Sequence, residues 1–365
     1  MNLEEKLMKS DSKICIVTSR NIFDSPCIEK YKKLIKQDFD ILYWDHVGID
    51  EECGAKNYFK FEGKMGVGAS PVKKIIQYVK YIKFLRSFIK KSNYEKLIVY
   101  PNQVAWFLNG FLKKKYKGRY LLDIRDHVWS DKKIPGKLMA DAVNNSGLCS
   151  LTSPAFAKYL PEHEYIISHN IQPIDADLIN NYRMRDFNHS PIVISFIGTI
   201  RFISEQKRVI DAFANDSRFV LKFIGRGSEQ LKSYCEEKGI NNVVLVGQFP
   251  REKLGEYYMD ADFAMNIYGN KQITLQLALS NKLYSAAMMG MPILCSPNTY
   301  MAQISEEYGF GLSVDLEDEN CKETVYKFFA DIDKTAMLSQ CDKFLAVVER
   351  EEAEYTERVE AFLNN

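Results

Sequence analysis

Short apolar runs alternate with amphipathic segments along almost the whole chain of 365 residues. Runs of this kind are typical of buried strands, and the amphipathic segments are typical of helices that cover a sheet. Strands joined in sequence by helices form parallel sheets, so the pattern predicts an α/β protein. We expect strands at 13–19, 39–44, 96–101, 119–126, 148–153 and 164–170, and again at 192–198, 219–225, 243–248, 263–268 and 292–296.

The chain length favours two domains of similar size. Segment 171–190 is polar, contains proline and has no clear hydrophobic period, so it is interpreted as a linker. We therefore expect an N-terminal Rossmann-like domain over 1–170 and a C-terminal one over 191–345, both doubly wound. The stretch 346–365 has the charged amphipathic pattern of a C-terminal helix.

The cysteines and the N-terminus indicate the cellular compartment of the protein. Its eight cysteines include no C-x-x-C pair, and no histidine lies near two of them, so we expect reduced thiols and no metal site. The polar N-terminus lacks the apolar core of a secretion signal, and no run of about 18 apolar residues is present. These features predict a cytoplasmic protein.

Charge is unevenly distributed although the net charge is only +1. Residues 1–170 carry 29 basic and 19 acidic side chains, whereas the remainder has an acidic surplus. Segment 72–91 contains seven basic residues, no acidic residue and an apolar stripe at helical spacing. It is interpreted as a helix at an anionic membrane surface, with a core helix that has a basic outer face as the alternative. No recognised nucleic-acid motif accompanies the charge, so nucleic acid is not expected as a partner.

Two predicted strands end in glycine and lead into helices. The first is followed by Gly198, Thr199 and Arg201, and the second by Gly225, Arg226 and Gly227. Glycine lets backbone N–H groups approach a phosphate, and arginine can pair with it in bidentate fashion. Alone, the first pattern is equally typical of a glycine that only turns the chain. The second lacks the third glycine of the dinucleotide fingerprint, which argues against a nicotinamide enzyme.

A third motif begins a predicted helix at 281–290. Ser280 or Asn281 can cap this helix, and Lys282 then falls in its first turn. A cation is unfavourable there unless an anion is near, because the helix N-terminus is itself positive. Lys282 is therefore a candidate phosphate ligand, and a solvated lysine on an ordinary helix is the alternative.

The three motifs, in this order, resemble the C-terminal domain of GT-B glycosyltransferases of the family 4 type, which build bacterial surface polysaccharides. The resemblance extends from Phe196 to about Val314 and includes "FIGRG" and "NKLYSAAMMGMPIL". It implies two Rossmann-like domains that face each other across a cleft. It also implies transfer of a hexosyl unit, with retention, from a nucleotide sugar such as a UDP-sugar to a lipid-linked or glycan acceptor. The donor residues it implies are Gly198, Thr199, Arg201, Gly225, Arg226, Gly227, Asn281, Lys282 and Ser285.

The N-terminal half resembles the same family more loosely. The run "DIRDHVW" at 123–129 is similar to a family loop that carries Asp and Trp. Asp126 and His127 follow a predicted strand and are the candidate catalytic residues, with helix capping by Asp126 as the alternative. Arg20, at the end of the first strand, is a candidate ligand of an acceptor phosphate. Arg125 alternates to the opposite face of its strand and is not expected at the same ligand.

Two positions depart from the family pattern. Ser285 stands where the family has a glutamate that would hold the donor ribose, and Leu277 stands at the companion glutamate. A non-catalytic subunit that binds glycan or a partner protein is therefore an alternative, and a nucleotide-sugar epimerase is another. The two D-x-D sequences at 175–177 and 260–262 are interpreted as capping or solvated groups, so neither a metal nor another cofactor is expected.

Overall fold

The computed structural model describes residues 10–63, 70–127, 130–187 and 189–365. Residues 128 and 129 of the "DIRDHVW" loop, including Trp129, lie outside the described residues. The chain divides into two compact units. The first comprises the residues through Ser168 together with Glu351–Asn365, and the second comprises His169–Arg350.

The first unit contains one parallel sheet. Its strands are β1 (Ile14–Thr18), β2 (Phe39–Asp45), β3 (Asn57–Glu62), β4 (Lys96–Tyr100), β5 (Tyr120–Ile124), β6 (Leu148–Leu151) and β7 (Ile166–Ile167). Its helices are α1 (Cys27–Leu34), α2 (Pro71–Lys91), α3 (Asn102–Lys115) and α4 (Lys133–Asn145), with a 3₁₀ helix at Pro154–Tyr159. The strand order is β3-β2-β1-β4-β5-β6-β7, so the order reverses between β1 and β4.

The second unit repeats this plan. Its strands are β8 (Ile192–Ile197), β9 (Phe219–Ile224), β10 (Val243–Val246), β11 (Phe263–Asn266), β12 (Ile293–Cys295) and β13 (Gly311–Ser313). Its helices are α5 (Ala176–Met184), α6 (Ile203–Phe213), α7 (Lys232–Glu237), α8 (Leu254–Met259), α9 (Ile273–Leu277), α10 (Asn281–Met289), α11 (Tyr300–Glu307) and α12 (Cys321–Ala330), with 3₁₀ turns at Ser228–Leu231 and Arg251–Lys253. The strand order β10-β9-β8-β11-β12-β13 reverses between β8 and β11.

Both sheets are therefore doubly wound, with every paired strand parallel to its neighbours in the described residues. This confirms the α/β class and the two Rossmann-like domains predicted from the sequence. In such sheets ligands bind beyond the carboxyl ends of the strands, at the point where the order reverses. That rule directs attention to the ends of β1 and β4 in one unit and of β8 and β11 in the other.

The structure adds elements that the apolar pattern did not predict. Strand β3 is a partly exposed edge strand, and β13 has only three residues. Segment 171–190 contains helix α5, which Asp175 caps by accepting from the backbone N–H groups of Asp177 and Leu178. The segment belongs to the second unit.

The last helix, α13 (Lys334–Asn364), begins twelve residues before the predicted start at 346. Its first part packs in the core of the second unit through Met337, Cys341, Phe344 and Val348. Its last part contributes Tyr355, Val359 and Leu363 to the core of the first unit. One helix therefore supplies core residues to both units.

The first unit is built around a buried carboxylate, Asp123 on β5. Asp123 is fully buried and accepts hydrogen bonds from the hydroxyl of Tyr31, at 2.7 Å, and from that of Ser150, at 3.1 Å. The guanidinium of Arg125 pairs with it at 3.1 Å. Arg125 is thus occupied inside the unit, in agreement with its expected orientation away from a ligand of Asp126.

Candidate functional site

Three glycines allow two loops to converge at the carboxyl edge of the second sheet. Gly198 follows β8 with φ 132°, and Gly225 and Gly227 follow β9 with φ 138° and 98°. These values lie in a region that residues with a side chain rarely adopt. A Cβ on Gly225 would lie 2.0 Å from the carbonyl oxygen of Gly198, and one on Gly227 would lie 2.9 Å from that of Ile200. Only glycine permits this approach.

Backbone hydrogen bonds hold the two loops in register. The N–H of Gly198 donates to Ile224, and the N–H of Ile200 donates to Arg226. The structure therefore brings together two of the loops that the sequence assigned to a phosphate. Thr199 is partly exposed within the first loop, and the side chains of Arg201 and Arg226 are exposed at its end and in the second loop.

Helix α10 brings a third element to the same edge. Ser280 caps it, because its hydroxyl accepts from the N–H of Lys282 and also donates to Asn266 at the end of β11, at 2.9 Å. Asn281 is the first helical residue and is partly exposed. The cap fixes the start of α10 beside the end of β11, which is one side of the point where the strand order reverses.

The ammonium of Lys282 lies directly beside the glycine loops. A Cβ on Gly198 would be 3.8 Å from Nζ, which itself donates to the phenol oxygen of Tyr268 at 2.9 Å. Nζ also lies 4.3 Å from the ring centroid of Phe196. The residue is only 7 % exposed, and no carboxylate lies within 4 Å of its ammonium in the part of the chain that the structure describes.

A buried cation without an acidic partner is costly unless an anion meets it. Here it lies next to the two glycine loops, at the edge of a doubly wound sheet. The N–H groups of the three glycines already donate to Ile224, Val246 and Glu229, so a ligand would meet the other N–H groups of these loops. This combination can bind a phosphate or diphosphate.

Ser285 is buried inside the second unit. It is 1 % exposed, and its hydroxyl has no hydrogen-bond partner of ordinary geometry among the described residues. It lies near the phenol of Tyr258, whose pKa is raised by burial, while the neighbouring serine hydroxyl acts to lower it. Leu277, the other position where the family has a glutamate, is also buried. Neither position offers a carboxylate or an exposed hydroxyl.

The first sheet has a second polar group at its own reversal point. Arg20, after β1, pairs with Asp126, after β5, at 3.4 Å, and both side chains are about two-fifths exposed. The side-chain amide of Asn102, the first residue of α3, donates to the backbone carbonyl of Asp126 at 3.0 Å. Two of the sequence-predicted residues therefore meet, but as partners of one another rather than as free charges.

His127 is more enclosed than Asp126. Its side chain is 6 % exposed, packs against Tyr159, and lies 3.5 Å from the carboxylate of Asp131. Burial lowers the pKa of His127, and Lys132 acts in the same direction, whereas Asp131 opposes them. The imidazole is therefore neutral near pH 7 and can donate or accept one hydrogen bond at each nitrogen.

The D-x-D carboxylates have structural partners. Asp262 is fully buried and pairs with Arg185 at 2.9 Å and with His189 at 3.0 Å. Asp175 caps α5, and Asp260 lies 3.7 Å from Lys222. No group of three or more His, Cys, Asp or Glu residues that could hold a metal occurs in residues 10–63, 70–127, 130–187 and 189–365.

Helix α2 divides into two halves. Tyr81, Ile82, Leu85, Phe88 and Ile89 of its second half are buried in the first unit. In its first half, Val72, Ile75, Ile76 and Val79 are 65 %, 63 %, 49 % and 49 % exposed. The core-helix interpretation thus describes the second half of the helix, and the first half presents an exposed apolar surface. Over the described residues no helix is both long and apolar enough to cross a membrane.

Sequence reasoning missed Tyr268 and Asn266. Both lie in the predicted strand 263–268, and no sequence motif marks them as ligand-site residues. The available signal was their position at the carboxyl end of a strand, which is where ligand-binding side chains gather in doubly wound sheets.

Several solved structures have a fold similar to that of this chain. The chain is similar to sucrose-phosphate synthase from Thermosynechococcus elongatus, with 14 % identity, TM-score 0.64 and coverage of 96 % of this chain and 95 % of that one. It is similar to HepE from Anabaena in a complex with UDP, with 12 % identity, TM-score 0.63 and coverage of 96 % and 100 %. It is also similar to WaaG, a glycosyltransferase involved in lipopolysaccharide biosynthesis, with 12 % identity, TM-score 0.58 and coverage of 90 % and 93 %.

No protein-family model matches the sequence, and no curated protein matches it. At these identities the structural likeness establishes the fold. The chain has the two-domain α/β fold of GT-B proteins, which confirms the fold that the motif resemblance implied.

The burial of Ser285 predicts opposite outcomes for two substitutions. Ser285→Glu should lower the free energy of unfolding by about 3 kcal/mol or more, because it buries a carboxylate with no cationic partner. Ser285→Ala should change it by less than about 1 kcal/mol, because the lost hydroxyl makes no hydrogen bond of ordinary geometry among the described residues. Urea denaturation followed by circular dichroism measures both. A stable Ser285→Glu variant would mean that position 285 reaches solvent or a cation.

Proposed function

We propose that the protein is a glycosyltransferase that uses a nucleotide sugar, with UDP as the nucleotide. The observation that carries this proposal is the buried ammonium of Lys282, which lies beside Gly198 and has no acidic partner among the described residues. Such a site needs an anionic ligand. The complexes of HepE with UDP and with UDP-glucose support a uridine diphosphate as that ligand.

The proposed chemistry forms a bond between the acceptor hydroxyl oxygen and the sugar's anomeric carbon, and it breaks the bond between that carbon and the β-phosphate oxygen. The hydroxyl proton passes to a base of the site or to the departing diphosphate. Negative charge then develops on the departing diphosphate, and Lys282 and Arg201 stabilise it together with N–H groups of the glycine loops. Two cations and several donors can neutralise a diphosphate without a divalent ion. We therefore propose that transfer needs neither a metal nor another cofactor.

In this proposal the first unit binds the acceptor, a lipid-linked or glycan hydroxyl. Arg20 can bind an acceptor phosphate when it exchanges its contact with Asp126 for that ligand. Asp126 and the neutral His127 can accept hydrogen bonds from sugar hydroxyls and assist the proton that leaves the acceptor. Retention of the anomeric configuration and transfer of a hexose are part of the proposal, on the basis of the family resemblance.

One observation favours a second candidate function, a GT-B-like subunit that binds its ligands without transferring sugar. Both positions that carry a glutamate in the family are buried here, as Ser285 and Leu277, and offer the ribose no carboxylate. Binding and turnover therefore have to be measured separately.

Nucleotide binding is the first test. Lys282→Met and Arg201→Ala should each weaken UDP binding about tenfold or more, because a hydrogen bond to a charged group contributes about 1.5–3 kcal/mol. Isothermal titration calorimetry with UDP measures this, and Lys232→Met, an exposed lysine outside the glycine loops, is the matched control. Equal affinities in wild type and in both site variants would remove these residues from the donor site.

Turnover is the second test. The wild type should release UDP from UDP-glucose or another UDP-sugar, and more rapidly when an acceptor is present, with a rate that EDTA does not lower. Asp126→Ala and His127→Ala should lower the rate about 100-fold or more, in the range for acid–base assistance, with little change in the affinity for UDP. A wild type that binds UDP but never releases it from any UDP-sugar would support the non-catalytic alternative. Conversion of the donor without any acceptor would support an epimerase.

We further propose that the protein is cytoplasmic and docks on the inner, anionic face of a membrane through α2. The exposed apolar side chains of its first half are followed by the exposed lysines Lys80, Lys83 and Lys90. On α3, Phe107 is also exposed and stacks on Tyr78 at 5.1 Å, which extends the apolar surface. An apolar surface flanked by cations has the chemistry of an interfacial helix, and it would bring the protein to a lipid-linked acceptor.

Replacing Lys80, Lys83 and Lys90 by Glu should reduce sedimentation with vesicles of anionic phospholipid by about tenfold or more, because each basic residue contributes about 1 kcal/mol near such a surface. Binding of UDP should be unchanged. The control replaces Lys232, Lys253 and Lys343, which are exposed lysines of the second unit, by Glu. If the wild type fails to sediment, or if both triple variants behave alike, α2 is not a membrane-docking helix.

A further inference from the structure

We propose that Tyr268 is a positioning residue of the donor site, and that its phenol holds the ammonium of Lys282 toward the diphosphate. This inference rests on the proposed function, since it assigns a role within the same site. Tyr268 follows β11 by two residues, at the point where the strand order of the second sheet reverses. Its side chain is half-buried.

The contact is specific to one atom of each side chain. Nζ of Lys282 lies 2.9 Å from the phenol oxygen of Tyr268, so the ammonium donates and the phenol oxygen accepts. Nζ is also 5.0 Å from the centroid of the Tyr268 ring and 4.3 Å from that of Phe196. The ammonium therefore has an aromatic surface on one side and the Gly198 backbone nearby.

Two other aromatic rings hold Tyr268 in place. Phe196, on β8, packs edge-on against it with centroids 5.2 Å apart, and Phe202, at the start of α6, does so at 5.7 Å. Phe202 has φ 54°, a left-handed conformation that a phenylalanine rarely adopts. Strained residues of this kind persist where the surrounding structure holds them, and here the preceding residue in the chain is the donor candidate Arg201. The rings thus connect the loop of Arg201 to the ammonium of Lys282.

The choice of a phenol has a chemical consequence. A carboxylate at this position would hold the lysine equally well, but it would cancel the charge and repel a phosphate. A neutral phenol oxygen fixes the ammonium and leaves its charge available to an incoming anion. A lysine with four rotatable bonds loses much conformational freedom on binding, so holding it in advance should strengthen binding of the diphosphate.

The test is a double-mutant cycle on the full-length protein, with UDP as the probe and calorimetry as the measurement. Tyr268→Phe keeps the ring and removes only the oxygen, and it should raise the Kd for UDP about fivefold to tenfold. In the Lys282→Met background the same substitution should have no further effect, because the ammonium that it positions is gone. Tyr326→Phe, on α12, is the control and should leave the Kd unchanged.

Each outcome decides between the two proposals. If the effects of Tyr268→Phe and Lys282→Met add independently, or if Tyr268→Phe binds UDP as tightly as the wild type, the positioning role is wrong while the donor site stands. If the wild type does not bind UDP, or if Lys282→Met binds it normally, the proposed donor site itself fails and this inference fails with it. Thermal unfolding of each variant, followed by circular dichroism, identifies any loss of affinity that comes from an unfolded fraction.

Discussion

The carboxyl edge of the second sheet depends on the close approach of two backbones, those of Gly198 and Gly225. Any side chain at Gly225 would overlap the carbonyl of Gly198, so the loops after β8 and β9 can meet only as glycine backbone. A Cβ on Gly198 would have only Nζ of Lys282 within 4 Å, so an opening remains beside Gly198. The ammonium of Lys282 lies beside that opening, and the aromatic contacts of Tyr268 follow from its position.

The two units have similar strand orders, but they differ in whether the charged side chains at the sheet are paired. In the first, Asp123 and Arg125 neutralise each other inside the sheet, and Arg20 and Asp126 pair at its edge. In the second, Lys282 is held by a phenol and aromatic rings without a carboxylate among the described residues. A paired charge contributes to local structure, whereas an unpaired buried charge needs a ligand. On this difference rests the proposal that the second unit binds the anionic donor.

The apolar pattern predicted the central strands well because they are buried on both faces and read as continuous apolar runs. It missed β3, an edge strand in which Lys60 and Glu62 interrupt the apolar residues. It also missed α5 in the segment taken as a linker. That helix is largely polar and buries only one residue, Tyr182, so it has almost no hydrophobic period to detect. Weakly buried elements produce a weak sequence signal, whatever their role in the fold.

The sequence by itself determined the fold class, the glycines after β8 and β9, and the place of Lys282 in the first turn of a helix. These are local properties, set by residue type and short spacing. Only the tertiary structure decided that Ser285 faces the interior near Tyr258, and that Tyr268 meets Lys282 across fourteen residues of sequence. It also decided that the apolar stripe of α2 is buried in one half and exposed in the other. Burial and side-chain partners depend on which elements pack together, and a local sequence pattern does not determine that packing.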